Sequence, residues 1–277
     1  MSEKIGVGIV TKQPRKSFER CFMGISHQED IDSLVIINDG ESFDISFLND
    51  RISKCQRLRE IVQYYHNHEN LGVGKSKNKA LRKLLADGCD HIFLIEDDIF
   101  IKNNSVFQKY IKASKATGIQ HFNFSQHGVM NKTFDGLSTP NPRMIVKYGD
   151  IQVPLYPHCV GAFSYFSRKC LETVGLMDEQ YYNACEHMDH TLGIIKAGMH
   201  PPFWYFADIE NSWEYLGDEP WSLQQSTISS KADHSEVMRA ADQVFFKKHG
   251  HYPLQTPLTD EEGVVKSLKE IKKNYGK

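Results

Sequence analysis

Three consecutive carboxylates, Glu96-Asp97-Asp98, are the residues best suited to chemistry in this chain. They directly follow the apolar run Ile92 to Ile95, a pattern that indicates a buried strand. Three carboxylates at a strand end repel one another unless a cation lies among them, and carboxylate oxygens suit Mg²⁺ or Mn²⁺. Ligands of open α/β sheets bind at the carboxyl ends of the strands. The segment therefore predicts a divalent metal site, with a solvated acidic turn as the competing interpretation.

Two further polar segments follow predicted strands. Asp39, in Asn38-Asp39-Gly40, can accept hydrogen bonds from a base or ribose, although Asp-Gly is also a common turn pair. Residues 70 to 78 place glycines at a predicted helix start, where backbone N–H groups and lysines can face a phosphate. The segment is not a P-loop, because Glu69 occupies the position of the required first glycine.

Residues 186 to 190 contain four ionisable side chains at another predicted helix start. Acidic residues in a first helical turn commonly complement the helix dipole. The functional alternative is that one of these groups takes a proton from a substrate hydroxyl.

The elements that must position these residues alternate between strand and helix in the first half. The predicted strands are Ile5–Val10, Ser33–Ile37, Ile61–Tyr65 and Ile92–Ile95, and the predicted helices there are Ser17–Ser26 and Val73–Ala86. This order predicts an α/β fold with a mostly parallel sheet and helices on both faces. Shorter strands are expected from about 119 to 166, followed by helices near 168–174 and 186–197. We expect one domain over residues 1–215 and, over 216–277, a loop to about 231 and two helices packed on that domain.

Composition excludes several classes of protein. The net charge of −2 indicates no nucleic-acid partner. No stretch approaches the roughly 18 apolar residues of a membrane span, and the first residues do not resemble a signal peptide, so a cytoplasmic protein is expected. The 6 cysteines form no Cys-x-x-Cys pair, which argues against a zinc knuckle or disulfide framework.

The order of these segments resembles the family 2 glycosyltransferases of the GT-A fold. The resemblance covers roughly residues 4 to 210. It is carried by Val10-Thr11-Lys12, Asn38 to Ser42, the group Asn70, Gly72, Lys77 and Asn78, then Glu96-Asp97-Asp98, Gly175 to Glu179, and Glu186 to Asp189. Each motif is weak alone, but their shared order and spacing are specific.

The resemblance implies inverting transfer of a sugar from a nucleotide sugar, most often a UDP-sugar, to a glycan or lipid-linked glycan acceptor. Mn²⁺ or Mg²⁺ would be bound by Asp98, supported by Glu96 or Asp97, and His234 is a candidate for a further ligand. The implied donor-binding residues are Thr11, Asp39, Asn70, Gly72, Lys75, Lys77, Asn78 and Asp97.

The general base stays open among Asp189, His187 and Glu186, with the first two preferred. The family's usual base is an Asp, and here that position is His187. An imidazole can also accept a proton near neutral pH.

Two other functions fit the same pattern. A sugar nucleotidyltransferase also binds phosphates at strand ends, but it would normally carry a glycine-rich basic loop where this chain has residues 11–16. An inactive carbohydrate-binding or scaffold protein could keep the fold. The amphipathic segment 262–273 predicts a packed helix or, alternatively, a peripheral contact with the inner face of a membrane.

Overall fold

The computed structural model describes residues 3–12, 16–219 and 232–277. The strands are β1 (Ile5–Thr11), β2 (Ser33–Asn38), β3 (Val62–His66), β4 (His91–Glu96), β5 (Ile99–Ile101), β6 (His121–Asn123), β7 (Met144–Tyr148), β8 (Ile151–Tyr156), β9 (Phe163–Ser167), β10 (Phe206–Ala207) and β11 (Leu216–Asp218). The helices are α1 (Lys16–Ser26), α2 (Ser46–Ser53), α3 (Gln56–Ile61), α4 (Val73–Ala86), α5 (Val106–Thr117), α6 (Arg168–Val174), α7 (Glu186–Lys196), α8 (His234–His249) and α9 (Glu261–Tyr275).

The central sheet has the strand order β3-β2-β1-β4-β9-β6. Strands β1 to β4 are mutually parallel, and β9 runs antiparallel to both of its neighbours. The carboxyl ends of the four parallel strands therefore share one edge, which ends at Thr11, Asn38, His66 and Glu96. This edge positions the candidate site.

Strands β1, β2 and β4 are buried on both faces because their apolar side chains alternate between two cores, whereas the edge strand β3 is half-buried. In β1 and β2, Ile9 and Ile36 pack on the face covered by Phe22 of α1, whereas Val35 packs on the opposite face with Leu81 of α4. Near-continuous apolar strands are typical of such doubly covered sheets. The predicted α/β architecture, with helices on both faces, is confirmed.

Two small sheets lie beyond the central one. Strands β10, β8 and β7 form the first, and β11 pairs antiparallel with β5 directly after the acidic segment. The pairing joins residues 216–218 to the carboxyl edge of the central sheet, beside the acidic segment. Strand β11 begins directly after the predicted domain boundary at 215, and that boundary stays a prediction.

The two C-terminal helices pack on this framework. Phe245 of α8 is buried in a cluster with Phe203 and Phe206, and α9 lies against α5. Val264, Leu268 and Ile271 of α9 are buried in the main core. The apolar face of α9 thus has the packing role, and only its exposed lysines would be available for the predicted membrane contact. No helix in the described part of the chain has the length and apolarity needed to cross a bilayer.

Three helices were not predicted: α2, α3 and α5. In α5, Val106, Phe107 and Ile111 are β-branched or aromatic residues that favour strands locally, and burial against the core selects the helix instead. Residues 13–15 of the segment after β1, and residues 220–231 of the predicted loop, lie outside the described residues.

Candidate active site

The three carboxylates of the acidic segment point to different partners. Asp97 accepts a 2.6 Å hydrogen bond at Oδ2 from Oγ1 of the buried Thr11 at the end of the neighbouring strand β1. Glu96 forms an ion pair with Lys77, with 2.7 Å between Oε1 and Nζ. Glu96 is therefore engaged by a lysine, and a role as metal ligand would require it to share its carboxylate.

Asp98 has the carboxylate best placed for a cation. Its side chain is 28% exposed, yet Oδ1 is shielded from water and has no hydrogen-bond partner among the described residues. The Nε2 atom of His127 lies 3.7 Å from the other oxygen, Oδ2. Burial raises the pKa of Asp98, an effect that the nearby His127 opposes. A buried carboxylate oxygen without a partner is costly and suits an incoming ligand.

His127 and Asp218 extend this site, and neither was predicted from the sequence. His127 Nδ1 lies 3.9 Å from Asp218 Oδ2, which also accepts a hydrogen bond from the Gly128 backbone N–H at 2.9 Å. His127 lies on the loop after β6, and Asp218 is more than 100 residues from the acidic segment in the sequence. No motif marks either residue, because their approach to Asp98 depends on the β5–β11 pairing.

The described residues contain no group of three metal-ligating side chains arranged to surround a cation by themselves. Mg²⁺ and Mn²⁺ commonly take only one or two carboxylates and complete their shell with phosphates and water. Asp98 fits that second arrangement, because it offers an unpaired oxygen at the carboxyl edge of the sheet. Among the described residues, His234 at the start of α8 forms no hydrogen bond or ion pair with Glu96 or Asp98, so its ligand role stays a prediction.

Asp39 lies buried at the end of β2. Its Oδ1 accepts hydrogen bonds from Asn67 Nδ2 at 2.9 Å and from the Leu71 backbone N–H at 2.8 Å. These two bonds fix the carboxylate and connect it to the segment that leads into α4. Asp39 is thus oriented at the same edge as the acidic segment.

Two glycines permit close backbone approaches at this edge. A Cβ atom at Gly40 would lie 1.9 Å from the carbonyl oxygen of Lys12. Gly72 has a φ of 89°, and a Cβ there would lie 2.4 Å from the carbonyl oxygen of Tyr182. Asn70 accepts a hydrogen bond from the Gly72 N–H at 3.1 Å. Asn70 and Gly72 therefore shape the turn before α4, and side chains are sterically excluded at both glycines.

The two predicted phosphate-binding lysines differ sharply in environment. Lys75 is exposed on the first turn of α4, whereas the Lys77 side chain is 2% exposed. Besides Glu96, Lys77 donates to Glu186 Oε1 at 3.1 Å and to the Gly161 carbonyl oxygen at 3.2 Å. A contact between Lys77 and donor phosphates would require it to leave these partners.

Lys77, Glu96 and Glu186 form a charged triad in which Lys77 and Glu186 are buried and Glu96 is partly exposed. Burial alone lowers the pKa of Lys77, but the two carboxylates outweigh that effect and raise it above the ordinary lysine range. For Glu96 and Glu186, burial raises the pKa, and the Lys77 ammonium outweighs it, so that both pKa values are lowered. All three groups are therefore charged at neutral pH.

Asn78 contacts the protein rather than an open surface. Its amide group donates to the Met177 carbonyl at 2.8 Å and to Glu179 Oε1 at 3.0 Å, and its oxygen accepts from the Met177 N–H at 2.9 Å. These bonds attach the loop before α7 to α4. The structure thus gives Asn78 a positioning role toward the candidate base segment.

The three candidate bases also have different partners. Asp189 is buried, and its oxygens accept from Lys248 Nζ and His249 Nε2, each at 2.7 Å. Glu186 forms an ion pair with Lys77. His187 is the most exposed of the three, with 24% of its side chain accessible, compared with 5% for Glu186 and 4% for Asp189.

The His187 ring is fixed by two neighbours. Its Nδ1 lies 3.4 Å from Glu186 Oε1. A Cβ at Gly161 would lie 2.9 Å from the ring, so a glycine there leaves room for the imidazole. Glu186 can therefore orient the ring and stabilise the imidazolium that forms when the histidine accepts a proton.

The fold is that of the GT-A glycosyltransferases. A mannosyltransferase from Pyrobaculum calidifontis, solved with GDP-Man and Mn²⁺, superposes with a TM-score of 0.59 over 99% of this chain and 76% of its own, at 11% identity. TarS of S. aureus, solved with UDP-GlcNAc, superposes with a TM-score of 0.56 over 99% of this chain and 73% of its own, at 12% identity. The resemblance predicted from the sequence is confirmed at this level.

A distant relative in sequence is also named as a glycosyltransferase. An uncharacterised glycosyltransferase of Acanthamoeba polyphaga mimivirus is 25% identical over 197 residues, which span 70% of each chain. No protein-family model matches the sequence.

Proposed function

We propose that this protein is a metal-dependent, inverting glycosyltransferase that moves a sugar from a nucleotide sugar to an acceptor hydroxyl. The observation that carries the proposal is the unpaired, buried oxygen of Asp98 at the carboxyl edge of a GT-A sheet. Asp39 and the turn at Gly72 lie on the same edge. The glycosyltransferase fold and the distant glycosyltransferase relative support the same class of reaction.

In this proposal Asp98 binds Mn²⁺ or Mg²⁺, and Asp97 is oriented beside it by Thr11. The cation, when bound, would neutralise charge on the departing nucleoside diphosphate. Asp39 contacts the nucleoside through Oδ2, since Oδ1 is occupied by Asn67 and Leu71. The exposed Lys75 is better placed for a phosphate than Lys77.

His187 is the proposed general base, because Glu186 forms a buried ion pair with Lys77, and the carboxylate of Asp189 already accepts from Lys248 and His249. It would take the proton of the acceptor hydroxyl as the oxygen attacks the anomeric carbon. Glu186 would stabilise the resulting positive charge on the ring. Attack from the face opposite the leaving group inverts the anomeric configuration.

The class of reaction is tested by incubating the intact protein with UDP- and GDP-sugars and Mn²⁺, with and without EDTA. We expect slow release of the nucleoside diphosphate that EDTA abolishes. Pyrophosphate-dependent exchange would instead show a nucleotidyltransferase. Nucleotide binding without any turnover would show an inactive binding protein, and both outcomes contradict the proposal.

Replacing His187 by alanine should lower kcat by about 10²-fold with little change in nucleotide affinity, because a general base acts in the transition state. Single-turnover transfer and calorimetry with the nucleoside diphosphate would measure the two effects. His27→Ala, an exposed histidine at the end of α1, is the matched control. Unchanged kcat in His187→Ala would assign the base elsewhere.

A further inference from the structure

We propose that a groove beside the candidate active site binds an oligosaccharide acceptor through at least two sugar units, with Trp213 between them. This inference rests on the proposed transferase function. The groove consists of two adjoining cavities of about 320 and 230 Å³, and Pro140 and Trp213 line both. Together they reach the size range of about 300–1,000 Å³ that is common for ligand pockets.

The first cavity reaches the catalytic edge. Asp218 lines it, and the same carboxylate lies beside His127, the neighbour of Asp98. The strand that carries Asp218 continues into Glu219, whose N–H donates to the Asp98 carbonyl oxygen at 2.8 Å. A sugar in this cavity therefore lies next to the site at which the donor is proposed to react.

Gln126 lines this cavity with a polar amide group. The residue is 2% exposed, and neither Nε2 nor Oε1 has a hydrogen-bond partner among the described residues. Buried amides are almost always hydrogen-bonded, so an amide without partners calls for a missing ligand or water. Sugar hydroxyls can donate to the amide oxygen and accept from its nitrogen.

Trp213 separates the two cavities. It lies in a short 3₁₀ helix, Ser212–Glu214, and is 40% exposed, so that part of the indole is accessible to a ligand. Its carbonyl oxygen accepts a 2.9 Å hydrogen bond from Lys102 Nζ. The apolar C–H face of a sugar ring can pack on an indole, and the second cavity adds Pro142 and Tyr156.

One buried carboxylate fixes both walls of the groove. Asp208 accepts from the Ser125 N–H at 2.9 Å and from Ser212 Oγ at 2.7 Å, next to Gln126 and Trp213 respectively. Asp208 is fully buried and also accepts from Tyr110 at 2.7 Å. The two sugar-binding residues are thus positioned before a ligand arrives, which lowers the entropic cost of binding.

The test uses chains of one to four glucose, N-acetylglucosamine, mannose or galactose units, titrated into the intact protein by NMR. In at least one series the tetrasaccharide should bind about tenfold more tightly than its monosaccharide, and Trp213→Ala should remove that gain. Gln126→Leu should also weaken glycan binding while leaving the melting temperature unchanged or higher, since it removes two unpaired buried groups.

Phe246→Ala is the matched control, because Phe246 is 42% exposed on α8 and lines neither cavity. Nucleoside diphosphate binding with Mn²⁺ should be the same in all variants. The proposed glycan groove would be contradicted if affinity did not rise with the number of sugar units in any series. Equal glycan binding by Trp213→Ala and the parent would also contradict it. Failure of the parent to bind nucleotide would instead contradict the transferase proposal itself.

Discussion

Asp98→Asn should abolish the metal-dependent part of nucleotide binding and reduce sugar transfer by about 10³-fold, because metal stabilisation of the leaving group contributes several kcal/mol. The substitution is nearly isosteric and keeps an oxygen that His127 can contact. It removes the negative charge that a divalent cation needs. We therefore expect the folded structure to persist while the response to Mn²⁺ disappears.

Calorimetric titration of a nucleoside diphosphate, with and without Mn²⁺, measures this effect directly. Without metal, the parent and Asp98→Asn should bind the nucleotide equally, since Asp39 and the Gly72 turn are unchanged. Asp50→Asn is the control, because Asp50 is exposed on α2 and its carboxylate pairs with Lys54 at the surface. A variant that still gains affinity from Mn²⁺ like the parent would show that the cation binds elsewhere.

Much of the fold was accessible from the sequence because its signals are local. The four parallel strands are short apolar runs, and the glycines before α4 mark the helix start within one turn. The predicted helix Val73–Ala86 matches α4 residue for residue. Helix α5 was not predicted, because its β-branched and aromatic residues favour strands locally and tertiary packing decides the conformation.

The candidate site was predictable only in part, for the same physical reason. Strand ends place Asp39 and Asp98 on one edge, and the alternation of strand and helix suffices to predict that. The partners of the candidate bases come from distant parts of the chain: Asp189 meets Lys248, 59 residues away. Side-chain pairing over such separations depends on the packing of α8 and leaves no periodic signal.

Lys77 is the clearest example of a side-chain pairing that the sequence does not reveal. Its spacing in the sequence predicted a phosphate contact, whereas the structure buries it between Glu96 and Glu186, the latter 109 residues away. A buried cation between two carboxylates connects the acidic end of β4 to the start of α7. The triad thus links the proposed metal side of the site to the proposed base side.

Lys77→Met should lower the free energy of unfolding by about 3–5 kcal/mol, the usual effect of removing one partner from a buried ion pair. Methionine fills a similar volume but leaves Glu96 and Glu186 facing each other without a cation. Urea denaturation would measure the loss. Lys75→Met, an exposed lysine on the same helix, should change stability by less than about 0.5 kcal/mol.

The pH dependence of stability and a double variant test whether the unpaired charges of Glu96 and Glu186 cause the loss in Lys77→Met. In the parent, both glutamate pKa values are lowered, so the stability they contribute is present above the ordinary glutamate pKa and is lost as the pH falls. The difference between the parent and Lys77→Met should therefore shrink below about pH 5. Adding Glu186→Gln to Lys77→Met should restore part of the stability, because it removes one of the two unpaired charges. If the double variant is no more stable than Lys77→Met, or the single variant matches the parent, the triad does not connect β4 and α7 energetically.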